Sequence, residues 1–68
     1  MENKTLGKRL KYHRTLKGLT QEQLAEDSTV GIRTIQRIEK EEVTPHLQTV
    51  KLLADSLDIK VEDLVVVG

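Results

Sequence analysis

The sequence predicts an all-α protein made of one small domain, and three observations carry that reading. The chain has 68 residues, which is room for a single modest core. Apolar residues recur at three- and four-residue spacings in several separate stretches, the period of helices with one buried face. Residues that start or stop helices stand between those stretches: Thr5, Gly18, Thr20 and the pair Thr44-Pro45. There are no cysteines and no cluster with metal-ligand spacing, so neither disulfides nor zinc are expected to hold the chain together. A compact helical bundle is the economical solution that remains.

The first helix is expected over about residues 5–17. Thr5 caps it, Leu6 and Leu10 begin its buried stripe, and Tyr12 or His13 continues it. A basic last turn, Arg14 to Lys17, suits the negative end of the helix dipole, and Gly18 is the expected stop. Leu19 then packs inward. His13 has no carboxylate, cysteine or second histidine at motif spacing, so it reads as a partly buried helix residue filling a core position. Thr20 opens a second helix over about residues 21–27. Gln23 stands three positions later, which makes the Thr-x-x-Gln form of a capping box. Leu24 and Ala25 supply its buried face, and the run Ser28, Thr29, Val30, Gly31 breaks the pattern.

Ile35 and Ile38 resume the helical spacing in a third helix, about residues 32–40. Lys40, Glu41, Glu42 and Val43 lead to Thr44-Pro45, a hydroxyl cap with Pro at the first helical position of a fourth helix, about 45–57. Leu47, Val50, Leu53, Ala54 and Leu57 give it a core face. Asp58 stands where a Gly stop is usual and tolerates that backbone shape better than most residues. Ile59 and Val61 close the core, and a short fifth helix spans about 61–65. The glycines at 7, 18, 31 and 68 read as stops and turns. The apolar finish Val65-Val66-Val67 is open between core residues, a dimer contact and the cut edge of a longer chain.

The third helix has two unlike faces. Its apolar back is opposed by Arg33, Thr34, Gln36 and Arg37, and positions 32, 33, 36 and 37 share one surface by the i, i+3, i+4 rule. Arg pairs with guanine at two atoms, Gln does the same with adenine, and an Ile can touch a thymine methyl. Such a front suggests a helix that reads nucleic acid. Net charge is zero, which argues against that partner, but its distribution argues for it. Residues 1–40 hold nine Lys/Arg against five Asp/Glu, and residues 41–68 hold two against six. Six basic residues and no acids lie between Asn3 and Leu19. A charge dipole of this kind orients a domain on a polyanion, with a shallow salt slope for one subunit.

The stretch Thr20-Gln21-Glu22-Gln23-Leu24-Ala25, together with Arg33-Thr34-Ile35-Gln36-Arg37-Ile38-Glu39, resembles the lambda-repressor-like (Xre or Cro/repressor type) helix-turn-helix family. The resemblance extends from about Leu6 to Val65. It implies a compact five-helix DNA-binding domain with double-stranded DNA as partner. A homodimer would bind a near-palindromic operator, and repression would result from occupying a promoter. No cofactor and no metal are expected, and the absence of cysteine is compatible with the expected cytoplasmic location. Many members of the family carry a further ligand-sensing or membrane domain after this point, and such a domain is one expectation beyond residue 68.

By resemblance Gln21 lies near the DNA backbone, and Ile32, Arg33, Gln36 and Arg37 face the major groove. Arg33 and Gln36 are expected to contact bases. Arg37 and Thr34 are open between base and backbone, Ile32 between a thymine methyl and the second helix, and Lys40 belongs to the same DNA-binding set. Glu39 is expected to pair with Arg14 and tie the third helix to the first. The sequence departs from the family where Thr29 replaces a common Gly, where Gly31 replaces a small capping residue such as Ser, and where Glu41 and Glu42 replace Asn-Gly or basic residues that grip the backbone. A competing reading is a protein-interaction module on the same fold, such as an antitoxin. It gains if Arg33, Gln36 and Arg37 are tied up by Glu22, Glu26 or Glu39. An enzyme is the poorest reading: the sequence shows no nucleophile–base pair, no Gly-rich phosphate loop and no metal set. No apolar window approaches 18 residues, so no membrane span is expected.

Overall fold

In a computed structural model, which describes residues 5–65, five helices succeed one another: α1 (Leu6–Leu16), α2 (Gln21–Ser28), α3 (Ile32–Glu39), α4 (Leu47–Ser56) and α5 (Val61–Leu64). The apolar residues expected at Val66 and Val67 lie outside the described residues, as does the polar start. Two of the three expected hydroxyl caps form. The Thr5 side chain accepts from Lys8 N at 3.2 Å. Thr20 Oγ1 accepts from Gln23 N at 3.0 Å while Gln23 Oε1 accepts from Thr20 N at 2.8 Å, which completes the capping box.

All five helices send an inner face into one core. Leu10, Leu24, Ile35, Leu53 and Leu64 are completely buried, and Ile38, Val50, Ala54 and Leu57 nearly so. Leu6, Leu19, Ala25, Ile59, Val61 and Val65 pack around them. Truncating one of the buried leucines to Ala costs about 2–5 kcal/mol. A chain of this length has about 3–10 kcal/mol of total stability. Each central side chain is therefore a large share of what holds the domain together.

Three helices end in the same way. Beyond α1, Gly18 N donates to Thr15 O and Leu19 N to Arg14 O. Beyond α3, Glu41 N donates to Ile38 O and Glu42 N to Arg37 O. Beyond α4, Asp58 N donates to Asp55 O and Ile59 N to Ala54 O. Each is a Schellman motif, in which a left-handed residue lets two amides return to the last turn. Gly18 has φ 77°, Glu41 has φ 63° and Asp58 has φ 56°. Only one of the three positions carries the residue that adopts this conformation without a Cβ penalty. Lys17 Nζ donates to Ser56 O and pairs with Asp58 Oδ2, both at 2.9 Å, which ties the end of α1 to the end of α4.

Several sequence expectations are corrected. Pro45 does not begin the fourth helix, and Thr44 does not cap it. α4 starts at Leu47 behind an extended His46 (φ −69°, ψ 157°) that makes no side-chain cap. Val43 packs against the core, and the chain from there to the extended His46 runs without helix before α4 can begin. Leu47 is 58% exposed rather than core, because it lies one turn before Val50 at the open end of the helix. Tyr12 is exposed and does not continue the α1 stripe, and His13 is half-buried outside the core. The residues that accompany Leu10 inward on α1 are Gly7 and Arg14. Val30, read as part of a break, is buried in the core. Ser28 is the last residue of α2 and is buried. It donates to Leu24 O at 2.7 Å and accepts from Val30 N at 3.2 Å.

Candidate nucleic-acid interface

The site is organised by how α3 is held. Gly7, in the first turn of α1, lies so close to α3 that a Cβ there would stand 2.3 Å from Ile38 O. This glycine is neither a stop nor a turn. It lets the start of α1 rest directly on the backbone at the end of α3. Gly7 carried no signal in the sequence beyond its place on the stripe shared with Leu10 and Arg14.

The second hold is polar. Arg14 Nε donates to Glu39 Oε2 at 2.7 Å and Nη2 donates to Glu39 Oε1 at 3.1 Å. Arg14 Nη1 donates to Leu19 O at 2.7 Å. The two side chains are only 10% and 5% exposed, so this is a two-pronged buried ion pair and not an ordinary surface contact. Gln21 Nε2 also donates to Glu39 Oε1, at 3.1 Å. α1, α2 and α3 thus meet at one carboxylate. Sequence reasoning missed the Gln21 arm, since nothing in the spacing of a Gln at a helix start announces a partner 18 residues away.

With its back buried at Ile35 and Ile38, α3 presents Arg33, Thr34, Gln36, Arg37 and Lys40 to solvent. Of the four longer helices it has the sharpest division between apolar and polar faces. Arg33, Gln36, Arg37 and Lys40, with Glu42 on the rim, line one open hollow. Among the described residues, the side chains of Arg33, Gln36 and Lys40 make no hydrogen bond or ion pair. Arg37 pairs with Glu42 at 3.6 Å, not with Glu22, Glu26 or Glu39. Ile32 is half-buried and lines a separate notch with Ala25, Val30 and Glu26. Thr34 and Arg37 reach a cleft that continues to Thr44, His46 and Thr49 at the start of α4. Gln21 is half-buried. One amide hydrogen goes to Glu39, and the second makes no hydrogen bond among the described residues.

The joint between α2 and α3 carries two of the sequence departures. Thr29 adopts the left-handed conformation, φ 62° and ψ 9°, which is strained for a β-branched residue. Gly31 occupies the cap of α3 without a side-chain bond, and its carbonyl accepts from Ile35 N at 3.1 Å. The basic stretch before Leu19 delivers less free charge than counting suggests. Arg14 and Lys17 are spent on internal partners, and Arg9 Nη1 donates to Val65 O at 3.4 Å. Lys8 and Lys11 remain exposed.

A short α2, a tight turn and an amphipathic α3 with an Arg/Gln front define a helix-turn-helix protein. The chain belongs to the helix-turn-helix family, whose sequence model matches residues 10–64. It is 41% identical over 56 residues to an uncharacterised helix-turn-helix-type transcriptional regulator of Methanocaldococcus jannaschii, covering 82% of this chain and 85% of that one. Its fold is similar to that of the restriction-modification controller protein C.AhdI from Aeromonas hydrophila. The TM-score is 0.85 at 35% identity, over 88% of this chain and 91% of the other. Among the described residues, no helix is long and apolar enough to cross a membrane.

Proposed function

We propose that this protein is a sequence-specific DNA-binding transcription regulator that reads the major groove with α3. One observation carries the reading: Arg33, Gln36, Arg37 and Lys40 stand exposed together on the face of α3 opposite its buried isoleucines. Arg33 and Gln36 contact base edges, as Arg and Gln do with guanine and adenine. Lys40 and Thr34 contact phosphate, and Gln21 donates its second amide hydrogen to the backbone at the start of α2, where the helix dipole favours an anion. Ile32 reaches a thymine methyl with the part of its side chain that the α2 notch leaves uncovered.

One subunit offers few base contacts. A homodimer with α3 helices about one helical turn (~34 Å) apart on a near-palindromic operator supplies the missing affinity. Among the described residues, Tyr12 and Leu16 on α1 and Leu47 and Leu52 on α4 are the large exposed apolar side chains available to such a contact. Occupying a promoter then gives repression.

The test is selection of randomised duplex DNA by the wild type and by an Arg33→Ala/Gln36→Ala variant at two salt concentrations. A two-fold motif enriched by the wild type and lost by the variant is the expected result. No enrichment, or binding that salt abolishes equally for all sequences, would overturn the reading in favour of a protein-interaction module.

A further inference from the structure

Glu42 is the residue of the α3 hollow that does not belong there on charge. A carboxylate beside a DNA-facing helix repels phosphate, yet the backbone holds this one in place. Glu42 N donates to Arg37 O at 2.9 Å as the outer bond of the Schellman motif that ends α3. In that motif the residue after the left-handed position lies over the residue five before it, and the two side chains usually make an apolar contact. Here they are an acid and a base: Arg37 Nε lies 3.6 Å from Glu42 Oε1. The side chains are 56% and 53% exposed and the contact is longer than a hydrogen bond, so the pair is a charge contact through partly open solvent and a weak contributor to stability.

The edge of Arg37 that faces Glu42 is the Nε edge. A guanidinium carries five donors in a rigid plane, and its outer edge, Nη1 with Nη2, is one of the two that can grip guanine O6 and N7 together. Glu42 can therefore hold Arg37 by one side while the other side reads a base. The same pairing offsets part of the charge that Arg37 would otherwise offer to any phosphate, and phosphate attraction is the sequence-independent part of DNA binding.

We propose that Glu42 is a specificity-determining residue, which orients Arg37 through its Nε edge toward a guanine and suppresses phosphate binding by the same guanidinium. The proposal rests on the DNA-reading role of α3. It requires that removing the Glu42 charge help unselected DNA more than selected DNA, and that the difference pass through Arg37.

The experiment measures binding of wild type, Glu42→Gln, Arg37→Gln and the double variant. The probes are the duplex enriched by the wild type from a randomised pool and a scrambled duplex of the same length, each across a salt series. Thermal unfolding of each variant checks that all four remain folded. Glu42→Gln is expected to tighten scrambled-duplex binding roughly two- to fivefold, the range of an exposed charge contact, and to steepen its salt slope by about 0.9. Enriched-duplex affinity should rise less, so the ratio narrows. In the Arg37→Gln background the narrowing should disappear. Equal tightening on both duplexes, or narrowing that persists without Arg37, would show that Glu42 merely repels phosphate and would overturn the proposal. If the wild type enriches no duplex at all, the DNA-reading role itself fails, which is a separate outcome.

Discussion

Gln21 and Arg14 share an oxygen: both donate at 3.1 Å to Oε1 of Glu39, from the start of α2 and the end of α1. The first residue of the candidate interface on α2 and the main tether of α3 are therefore one hydrogen-bonded unit. Removing Glu39 leaves a buried guanidinium with one carbonyl partner, Leu19 O. Glu39→Ala is expected to cost about 3–5 kcal/mol, the penalty for stranding one member of a buried pair. Gln21→Ala deletes a single hydrogen bond and should cost about 1 kcal/mol. Urea unfolding of the two variants checks this, and equal losses would mean that the carboxylate is not the hub.

Gly7 sets the distance between α1 and the end of α3. Gly7→Ala must push backbone away from Ile38 O or displace α1, and overpacking of this kind costs about 1–3 kcal/mol. For a domain this small each kcal/mol lowers Tm by about 4–8 °C. Calorimetry of the variant should show that drop. An unchanged Tm would mean that the close approach is not maintained in solution.

Thr29 and Glu41 both occupy left-handed backbone with a Cβ. That conformation costs an L-residue roughly 1–2 kcal/mol, part of which Gly regains and part of which it loses to unfolded-state freedom. Thr29→Gly and Glu41→Gly are each expected to stabilise the fold by about 0.5–1 kcal/mol. The gain should be larger at Thr29, because a branched Cβ is worse placed. Thermal melts that show either variant less stable than wild type would count against the strain.

Lys40 and Arg33 differ in the kind of contact they make. Lys40→Ala should weaken binding to every duplex by a similar factor and make the salt slope shallower by about 0.9. Arg33→Ala should cost about 1–3 kcal/mol on the enriched duplex and relax the preference at one base position. Sequencing the duplexes that each variant selects separates the two outcomes.

The all-helical order was legible because local signals agree with the tertiary structure along most of the chain. Thr5 and Thr20 cap where a hydroxyl before an apolar period should cap, and Gly18 stops α1. The exposed front of α3 was legible too, since a helix with Ile35 and Ile38 inside must put Arg33, Gln36 and Arg37 outside. Local reading failed where a distant element decides the outcome. Pro45 has the chemistry of a helix start, but Val43 packs against the core and the chain from there runs without helix to His46. Tyr12 looked more apolar than Arg14, yet Arg14 is inside because Glu39 and the Leu19 carbonyl satisfy its donors. Gly7 looked incidental because the atom it avoids belongs to a helix some thirty residues away. Counting cations overstated the basic face: Arg14 is consumed by Glu39, the partner that the family resemblance implied, and Lys17 by Ser56 and Asp58, partners that only the fold reveals.

The buried and the exposed charges of α3 answer differently to the ions around the protein. Glu39, nine-tenths or more withdrawn from water together with Arg14, is little screened. The exposed cations Arg33, Arg37 and Lys40 are screened within about 8 Å at physiological ionic strength. Added salt should therefore release the ligand from a domain that stays assembled. Ionic strength acts on occupancy and leaves integrity alone, which makes dissociation by salt fully reversible. A melting temperature that shifted with salt in step with the binding isotherm would contradict this separation.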